Sequence, residues 1–150
     1  MTKSIFFAIF LWSYLSAQNV EYLQSETFKQ TNMPFSEAVR VGNLFFLSGQ
    51  IGEVYTDIPG ETKLVAGGIK PETRQTMENI KSVLERYGLS LDNVVKCTCM
   101  LADISEWAEM SKEYIKFFPK NKPARSAFAG TGLAMGARVE IECIATVNDE

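Results

Sequence analysis

The chain of 150 residues contains no histidine. A protein without imidazole cannot build a Ser-His-Asp or Cys-His nucleophile pair, a histidine-ligated zinc centre or an imidazole proton shuttle. Any chemistry must therefore use carboxylates, lysine or arginine, hydroxyls, thiols, backbone groups or water. The basic excess of a nucleic-acid-binding protein is missing too, because the net charge is −3 and the pI is about 5.1. We therefore expect no nucleic-acid partner.

Cysteine is scarce, with three residues in the chain. Cys97 and Cys99 lie two apart in a predicted strand, which places them on one face about 6.6 Å apart, at the far edge of disulfide geometry. Cys143 belongs to another apolar strand. The favoured interpretation is three small buried hydrophobic residues, and the alternative is a redox pair.

One long hydrophobic run stands at the N-terminus. Lys3 is followed by the apolar stretch Ile5 to Leu15 and by the small-residue exit Ser16-Ala17, a pattern that predicts a secretory signal peptide over residues 1–17. The run is too short for a transmembrane helix, which needs about 20 apolar residues. The alternative is an apolar first element of the fold. We expect an exported protein, periplasmic or secreted, whose mature domain covers residues 18–150 and is not membrane-bound.

The rest of the chain has the pattern of one α+β domain. Two short strands on either side of Gly42-Asn43 predict a hairpin, and residues 52–68, rich in turn residues, predict a loop or a small excursion. Apolar periodicity then predicts two helices that cover one face of a mixed sheet. The predicted strands are 38–41, 44–48, 93–101, 124–130 and 137–147, and the helices are 71–87, closed by Gly88, and 103–117.

The second helix carries an apolar stripe of Trp107, Met110, Tyr114 and Phe117. Asp103 and Glu106 form a capping-box pattern at its start. Core packing is the favoured interpretation of this stripe, and a ligand cage is the alternative.

Few polar residues lie at positions that suggest a catalytic or binding role. Arg125 lies in an otherwise apolar strand start, where a fixed positive charge is costly unless it is paired. Glu140 and Glu142 share one face of the last strand about 6.6 Å apart, and could hold an arginine, a water or both, or form an exposed salt bridge. Gly49 would let a ligand approach the backbone closely. Ser48 has no activating base and is not predicted to be a nucleophile.

These segments, in this order, resemble the Rid (YjgF) family of reactive-intermediate deaminases across residues 34–147. The resemblance implies a chorismate-mutase-like fold and a homotrimer with clefts between neighbouring subunits and helices outside. It also implies hydrolysis of enamine and imine intermediates, such as 2-aminoacrylate and 2-iminopropionate, to a 2-keto acid and ammonia, without a metal or organic cofactor. The resembling motifs are Ala38-Val39-Arg40-Val41-Gly42-Asn43, Leu47-Ser48-Gly49-Gln50-Ile51, Thr73 to Ile80, Val94 to Thr98 with Asp103, Pro123-Ala124-Arg125-Ser126, and Gly136 to Glu142.

The resemblance also assigns roles to single residues. Arg125 matches the arginine that clamps the substrate carboxylate through two parallel hydrogen bonds, a geometry that lysine cannot reproduce. Glu140 matches the glutamate that orients the attacking water and moves its proton. Gly49, with Ser48 before it, would offer backbone groups to the substrate.

The chain departs from the family pattern at four predicted pocket positions. Phe35 replaces a tyrosine, Glu37 a glutamine, Ser111 an asparagine and Ala127 a cysteine. We expect imine hydrolysis with a changed side-chain preference, towards more apolar imines if Phe35 faces the site. The alternatives are a non-catalytic trimer that binds a small carboxylate or keto acid, and a structural trimer in which Arg125 and Glu140 simply pair.

Overall fold

The computed structural model describes residues 19–58 and 60–147. The predicted signal peptide, residues 1–17, lies outside these ranges. Within them, no helix combines the length and the apolar character needed to cross a bilayer.

The described residues form β1 (Val20–Leu23), α1 (Glu26–Gln30), β2 (Ala38–Val41), β3 (Leu44–Leu47), β4 (Gln50–Ile51), β5 (Glu53–Tyr55), β6 (Thr62–Leu64), α2 (Ile69–Arg86), β7 (Val94–Leu101), α3 (Trp107–Tyr114), β8 (Ala124–Ala129) and β9 (Val139–Thr146). The predicted mixed sheet forms the centre of this part of the molecule, with seven strands where five were predicted. Its strands follow the spatial order β1-β2-β3-β9-β7-β8, and β4 also pairs with β9. Neighbours are antiparallel except for β7 and β8, which run parallel.

The core lies between one face of this sheet and the helices α2 and α3. Helix α2 presents a buried apolar stripe that repeats every three or four residues, and it ends before Gly88, whose φ of 75° suits the left-handed residue after a helix. The predicted arrangement of two helices on one sheet face is confirmed. The stripe consists of Met77, Ile80 and Leu84, with the buried Thr73 on the same face, and it packs towards Cys97, Cys99, Leu101, Val139, Ile141 and Cys143 of the sheet.

The opposite face of the sheet carries large apolar side chains, and no helix formed by residues 19–58 and 60–147 covers them. Tyr22, Leu44, Phe46 and Phe128 are all exposed there. Cross-strand register places Phe46 beside Ile144, which alternates with the core-facing Cys143. We call this surface the open face.

Besides β4, two further pieces of regular structure were not predicted. Residues 52–68 were expected to form a loop or small excursion, and they contain the short hairpin of β5 and β6. Near the N-terminus, β1 extends the sheet by pairing with β2, and Ser25 caps α1 by accepting a hydrogen bond from the Phe28 amide. These elements are three to five residues long, too short for hydrophobic periodicity to identify.

The interpretation of the cysteines is correct for burial and wrong for pairing. All three cysteines are buried, but Cys97 and Cys143 form a disulfide and only Cys99 remains free. Antiparallel pairing of β7 with β9 places Cys97 directly opposite Cys143, with their Cα atoms 4.2 Å apart. The residues are 46 positions apart in sequence, so only the strand register brings them together.

Candidate active site

The Arg125 side chain lies on the helix side of the sheet, at its β8 edge. Its Cα pairs with that of Cys97, so both side chains point to the face covered by α3. The guanidinium carbon lies 5.4 Å from the ring centroid of Trp107 and 5.0 Å from that of Tyr114. Cation–π contacts of this kind stabilise a partly desolvated guanidinium by about 0.5–2 kcal/mol each.

Arg125 has no carboxylate partner within the described residues. The sequence predicted that a charge in this strand would need compensation, and the two aromatic rings provide it. Since ring faces do not use the hydrogen-bond donors of the guanidinium, its planar fork remains available for an anion.

This contact corrects the interpretation of the α3 stripe. Met110 is fully buried and belongs to the core, as expected. Trp107 is 45% exposed and, together with the buried Tyr114, forms a platform for Arg125. The two rings lie seven residues apart on one helix face, which is the same periodicity that a core stripe shows, so sequence alone could not separate the roles.

An open cleft of about 430 Å³ lies beside Arg125. Ser111, one of the predicted pocket residues, lines it, and its hydroxyl and that of Tyr114 are buried without a hydrogen-bond partner in the described part of the chain. Ala127, also predicted, follows Arg125 on the same face of β8, where it packs against the core. The full lining is Ser111, Lys112, Tyr114, Ile115, Lys122, Pro123 and Arg125.

Glu140 lies on the other face of the sheet. It pairs with Ile51 of β4 and Met100 of β7, and both of its neighbours in β9 point into the core. Burial raises the pKa of the Glu140 carboxyl, and the charge of Glu142 raises it further. No donor among the described residues hydrogen-bonds to this carboxylate, so its oxygens are free to accept from a water or substrate.

Gly49 supports Glu140 directly. A Cβ atom built at position 49 would overlap the Glu140 carboxylate. The sequence predicted that this glycine allows close approach of a ligand, and the structure adds that it provides the space in which the carboxylate lies.

Ser48 and Phe35 lie apart from the Arg125 cleft. The Ser48 hydroxyl donates to the Ser36 carbonyl oxygen at 2.7 Å, which agrees with the expectation that it is no nucleophile. Phe35 is half-exposed and packs against Phe28, with ring centroids 5.8 Å apart. The bond from Ser48 holds the segment after Phe35 near Gly49, and therefore near the Glu140 side of the sheet.

The prediction that Glu37 changes the pocket charge is wrong. Its buried carboxylate forms an ion pair with Arg86 and accepts hydrogen bonds from the Tyr87 hydroxyl at 2.8 Å and the Ser25 amide at 3.1 Å. Burial and the bond to Glu37 raise the pKa of Tyr87 to about 12. Glu37 thus fastens the N-terminal segment to the end of α2.

Glu72 is a structural carboxylate that the sequence did not single out. It is buried in α2 and accepts hydrogen bonds from the amides of Arg138, at 2.5 Å, and Val139, at 3.3 Å. These bonds fix the start of β9 and hence the position of Glu140 two residues later. A glutamate in the first turn of an amphipathic helix gives no signal that it will be buried.

The candidate residues therefore form two separate half-sites. The carboxylate half-site comprises Arg125, Ser111 and Tyr114 on the helix side, and the water half-site comprises Glu140 and Gly49 on the open face. Because Arg125 and Glu140 project from opposite faces, they do not pair within one chain. No cluster of metal-ligating side chains occurs in residues 19–58 and 60–147.

The family model for Endoribonuclease L-PSP matches residues 26–147. The chain belongs to this family. Relatives of the chain confirm its resemblance to the Rid family. The chain is 38% identical over 112 residues to the human protein "2-iminobutanoate/2-iminopropanoate deaminase", covering 75% of this chain and 79% of that protein. It is 39% identical to "Reactive Intermediate Deaminase A, chloroplastic" of Arabidopsis thaliana, covering 76% of this chain and 59% of that protein.

The fold of this Rid family member matches solved structures as well. The structure of TdcF from E. coli with bound serine superposes with a TM-score of 0.68 at 28% identity, covering 77% of this chain and 90% of that one. The expected α+β architecture is thereby confirmed.

Proposed function

We propose that this protein hydrolyses the imines and enamines derived from 2-amino acids to 2-keto acids and ammonia. The single observation that carries the proposal is Arg125, a half-buried guanidinium held over two aromatic rings, facing an open cleft and without a carboxylate partner among the described residues. A planar fork in this setting fits a substrate carboxylate. The names of the human and Arabidopsis relatives support the same reaction class.

Glu140 supplies the proton transfer in the proposed reaction. Its ionised carboxylate accepts a proton from water as the water oxygen bonds to the imine carbon. The C=N π electron pair moves to nitrogen, which takes this proton from Glu140. The resulting carbinolamine transfers its hydroxyl proton through Glu140 to the amino nitrogen, the C–N bond breaks as the C=O bond forms, and ammonia and the keto acid are released. Because burial and Glu142 raise the pKa of Glu140, the carboxylate is a better base than an exposed glutamate.

Assembly completes the site in this proposal. The two half-sites face opposite sides of one chain, so a second copy must bring its Glu140 to the Arg125 of the first. The exposed apolar side chains of the open face, which include Leu44 and Phe46, provide a surface that such copies would bury. A closed ring of three copies, as the family resemblance implies, would create three equivalent composite sites.

Mixing two inactive variants tests this arrangement. Arg125→Ala and Glu140→Gln subunits should each be inactive alone, whereas subunits mixed 1:1 and reassembled should recover about one quarter of wild-type activity. This fraction follows because about three quarters of random trimers are mixed and each contains one intact site out of three. No recovery in verified mixed trimers would contradict the composite site.

Binding of a small carboxylate without turnover is the second candidate. It is favoured by the separation of the half-sites, since Arg125 and its cleft are complete within one chain while Glu140 is not part of them. The solved structure of TdcF contains serine, a small carboxylate. Saturable, Arg125-dependent binding of keto acids with no effect on imine lifetime would support this function over hydrolysis.

We also propose that residues 1–17 direct export and are removed after Ala17. The imine would then come from an amino-acid oxidase or dehydrogenase outside the cytoplasm. Expression of the full chain followed by N-terminal sequencing should give a mature protein that begins at Gln18. An intact N-terminus on protein recovered from the cytoplasm would contradict this.

A further inference from the structure

Two lysines beside Arg125 have no carboxylate partners in the described part of the chain. Lys112 and Lys122 both line the 430 Å³ cleft, and neither forms an ion pair or side-chain hydrogen bond with another described residue. Nearby lysines behave differently, since Lys116 pairs with Glu113 at 2.8 Å and Lys120 pairs with Asp92 at 3.0 Å. The cleft therefore holds three cationic side chains whose charge no carboxylate of residues 19–58 and 60–147 compensates.

We propose that this cleft selects imines whose side chain ends in a second carboxylate, as in those derived from aspartate or glutamate. Arg125 holds the α-carboxylate, and Lys112 and Lys122 attract the side-chain carboxylate. As a statement about a substrate, the inference rests on the proposed function. Phe35, on which the expected apolar preference depends, packs on Phe28 and does not line this cleft.

The dimensions of the cleft fit such a ligand. Its volume lies within the range of about 300–1,000 Å³ that is usual for small-molecule sites. Exposed ion pairs contribute about 0.2–1 kcal/mol each, so each lysine should favour the acidic imine by about threefold and the pair by about tenfold. Because both lysines are exposed, the preference should weaken as ionic strength rises.

The test compares imines of similar size that differ in side-chain charge. Oxidases generate imines from aspartate, glutamate and the uncharged norvaline, and semicarbazide competes for them. The wild type should show a higher kcat/KM for an acidic imine than for the norvaline imine. In the Lys112→Gln/Lys122→Gln double variant, the ratio of the two kcat/KM values should fall about tenfold. The whole change should come from a lower kcat/KM for the acidic imine. Lys116→Gln and Lys120→Gln serve as matched controls and should leave the ratio unchanged.

Calorimetry with the products separates this inference from the proposed function. The wild type should bind 2-oxoglutarate more tightly than 2-oxopentanoate, and the double variant should lose that difference. Hydrolysis of the norvaline imine without an acidic preference would overturn the inference and leave the proposed function standing. Selective binding of 2-oxoglutarate without turnover of any imine would support the cleft's selectivity and overturn the proposed hydrolysis. Equal effects of the double variant on acidic and uncharged ligands would also overturn the inference.

Discussion

Arg125→Lys removes the planar fork from the proposed carboxylate clamp and keeps the positive charge. Lysine offers a single point of contact, so one of two charge-assisted hydrogen bonds is lost, at about 1.5–3 kcal/mol. A further fraction of a kcal/mol follows from the weaker contact with the Trp107 and Tyr114 rings. A total of about 2–4 kcal/mol corresponds to a fall of about 30- to 1,000-fold in kcat/KM.

The assay follows oxidase-generated imine by competition between the protein and semicarbazide. Arg74→Lys is the matched control, because Arg74 is an exposed arginine paired with Glu113 at 3.1 Å and does not line the cleft. Its kcat/KM should stay within about twofold of wild type. Both variants should unfold within about 1 kcal/mol of the wild type, since neither substitution opens a core cavity. An Arg125→Lys protein with wild-type kcat/KM would refute the bidentate clamp.

Further outcomes follow from the water half-site and the disulfide. Glu140→Gln should lower kcat far more than it weakens keto-acid binding, and equal effects on both would argue against a role in proton transfer. Activity should rise with pH as the Glu140 carboxyl, whose pKa is raised, loses its proton. Glu142→Gln removes a neighbouring negative charge and should therefore shift this acid limb of the pH–activity profile to lower pH. An acid limb that does not move would show that another group controls it. Gly49→Ala should displace the Glu140 carboxylate and cut kcat at least about tenfold with little change in Tm, because the overlap is with the end of a flexible side chain; unchanged kcat would show that the carboxylate position is not critical. Reduction of the Cys97–Cys143 disulfide should lower the free energy of unfolding in denaturant by up to about 4 kcal/mol without changing the oligomeric state, and dissociation on reduction would contradict an intrachain role.

The sequence predicted the helices and strands that are long enough for their hydrophobic periodicity to be recognised. The hairpin around Gly42, the two helices and the last two strands all appear in the structure, because each buries one regular face. Arg125 could be singled out because a fixed charge in an apolar strand start is costly, and Glu140 because it shares one face of the last strand with Glu142. The resemblance of the chain to a known family then assigned a role to each of the two residues.

What escaped prediction depends on the register between strands far apart in sequence. The pairing of β7 with β9 decides that Cys97 meets Cys143, and the pairing of β7 with β8 decides that Arg125 faces α3. Neither register is encoded in a local pattern. The same pairings place Glu140 on the other side of the sheet, a separation that no spacing argument revealed.

The roles of individual carboxylates could not be predicted from the sequence either. Glu37 was expected to alter the pocket because it occupies a pocket position in the family pattern, yet it binds Arg86, Tyr87 and Ser25. Those partners come from three distant segments, and only the fold brings them within hydrogen-bonding distance.

The most direct test of the central claim is imine hydrolysis by the chain that starts at Gln18. Imines generated from alanine, norvaline and glutamate would be offered with semicarbazide as the competitor, and Arg125→Ala would be assayed in parallel. We expect the wild type to suppress semicarbazone formation and release ammonia and keto acid, and the variant to have no effect. Semicarbazone yields that are the same with and without the wild-type protein, for all three imines, would contradict the proposed hydrolysis.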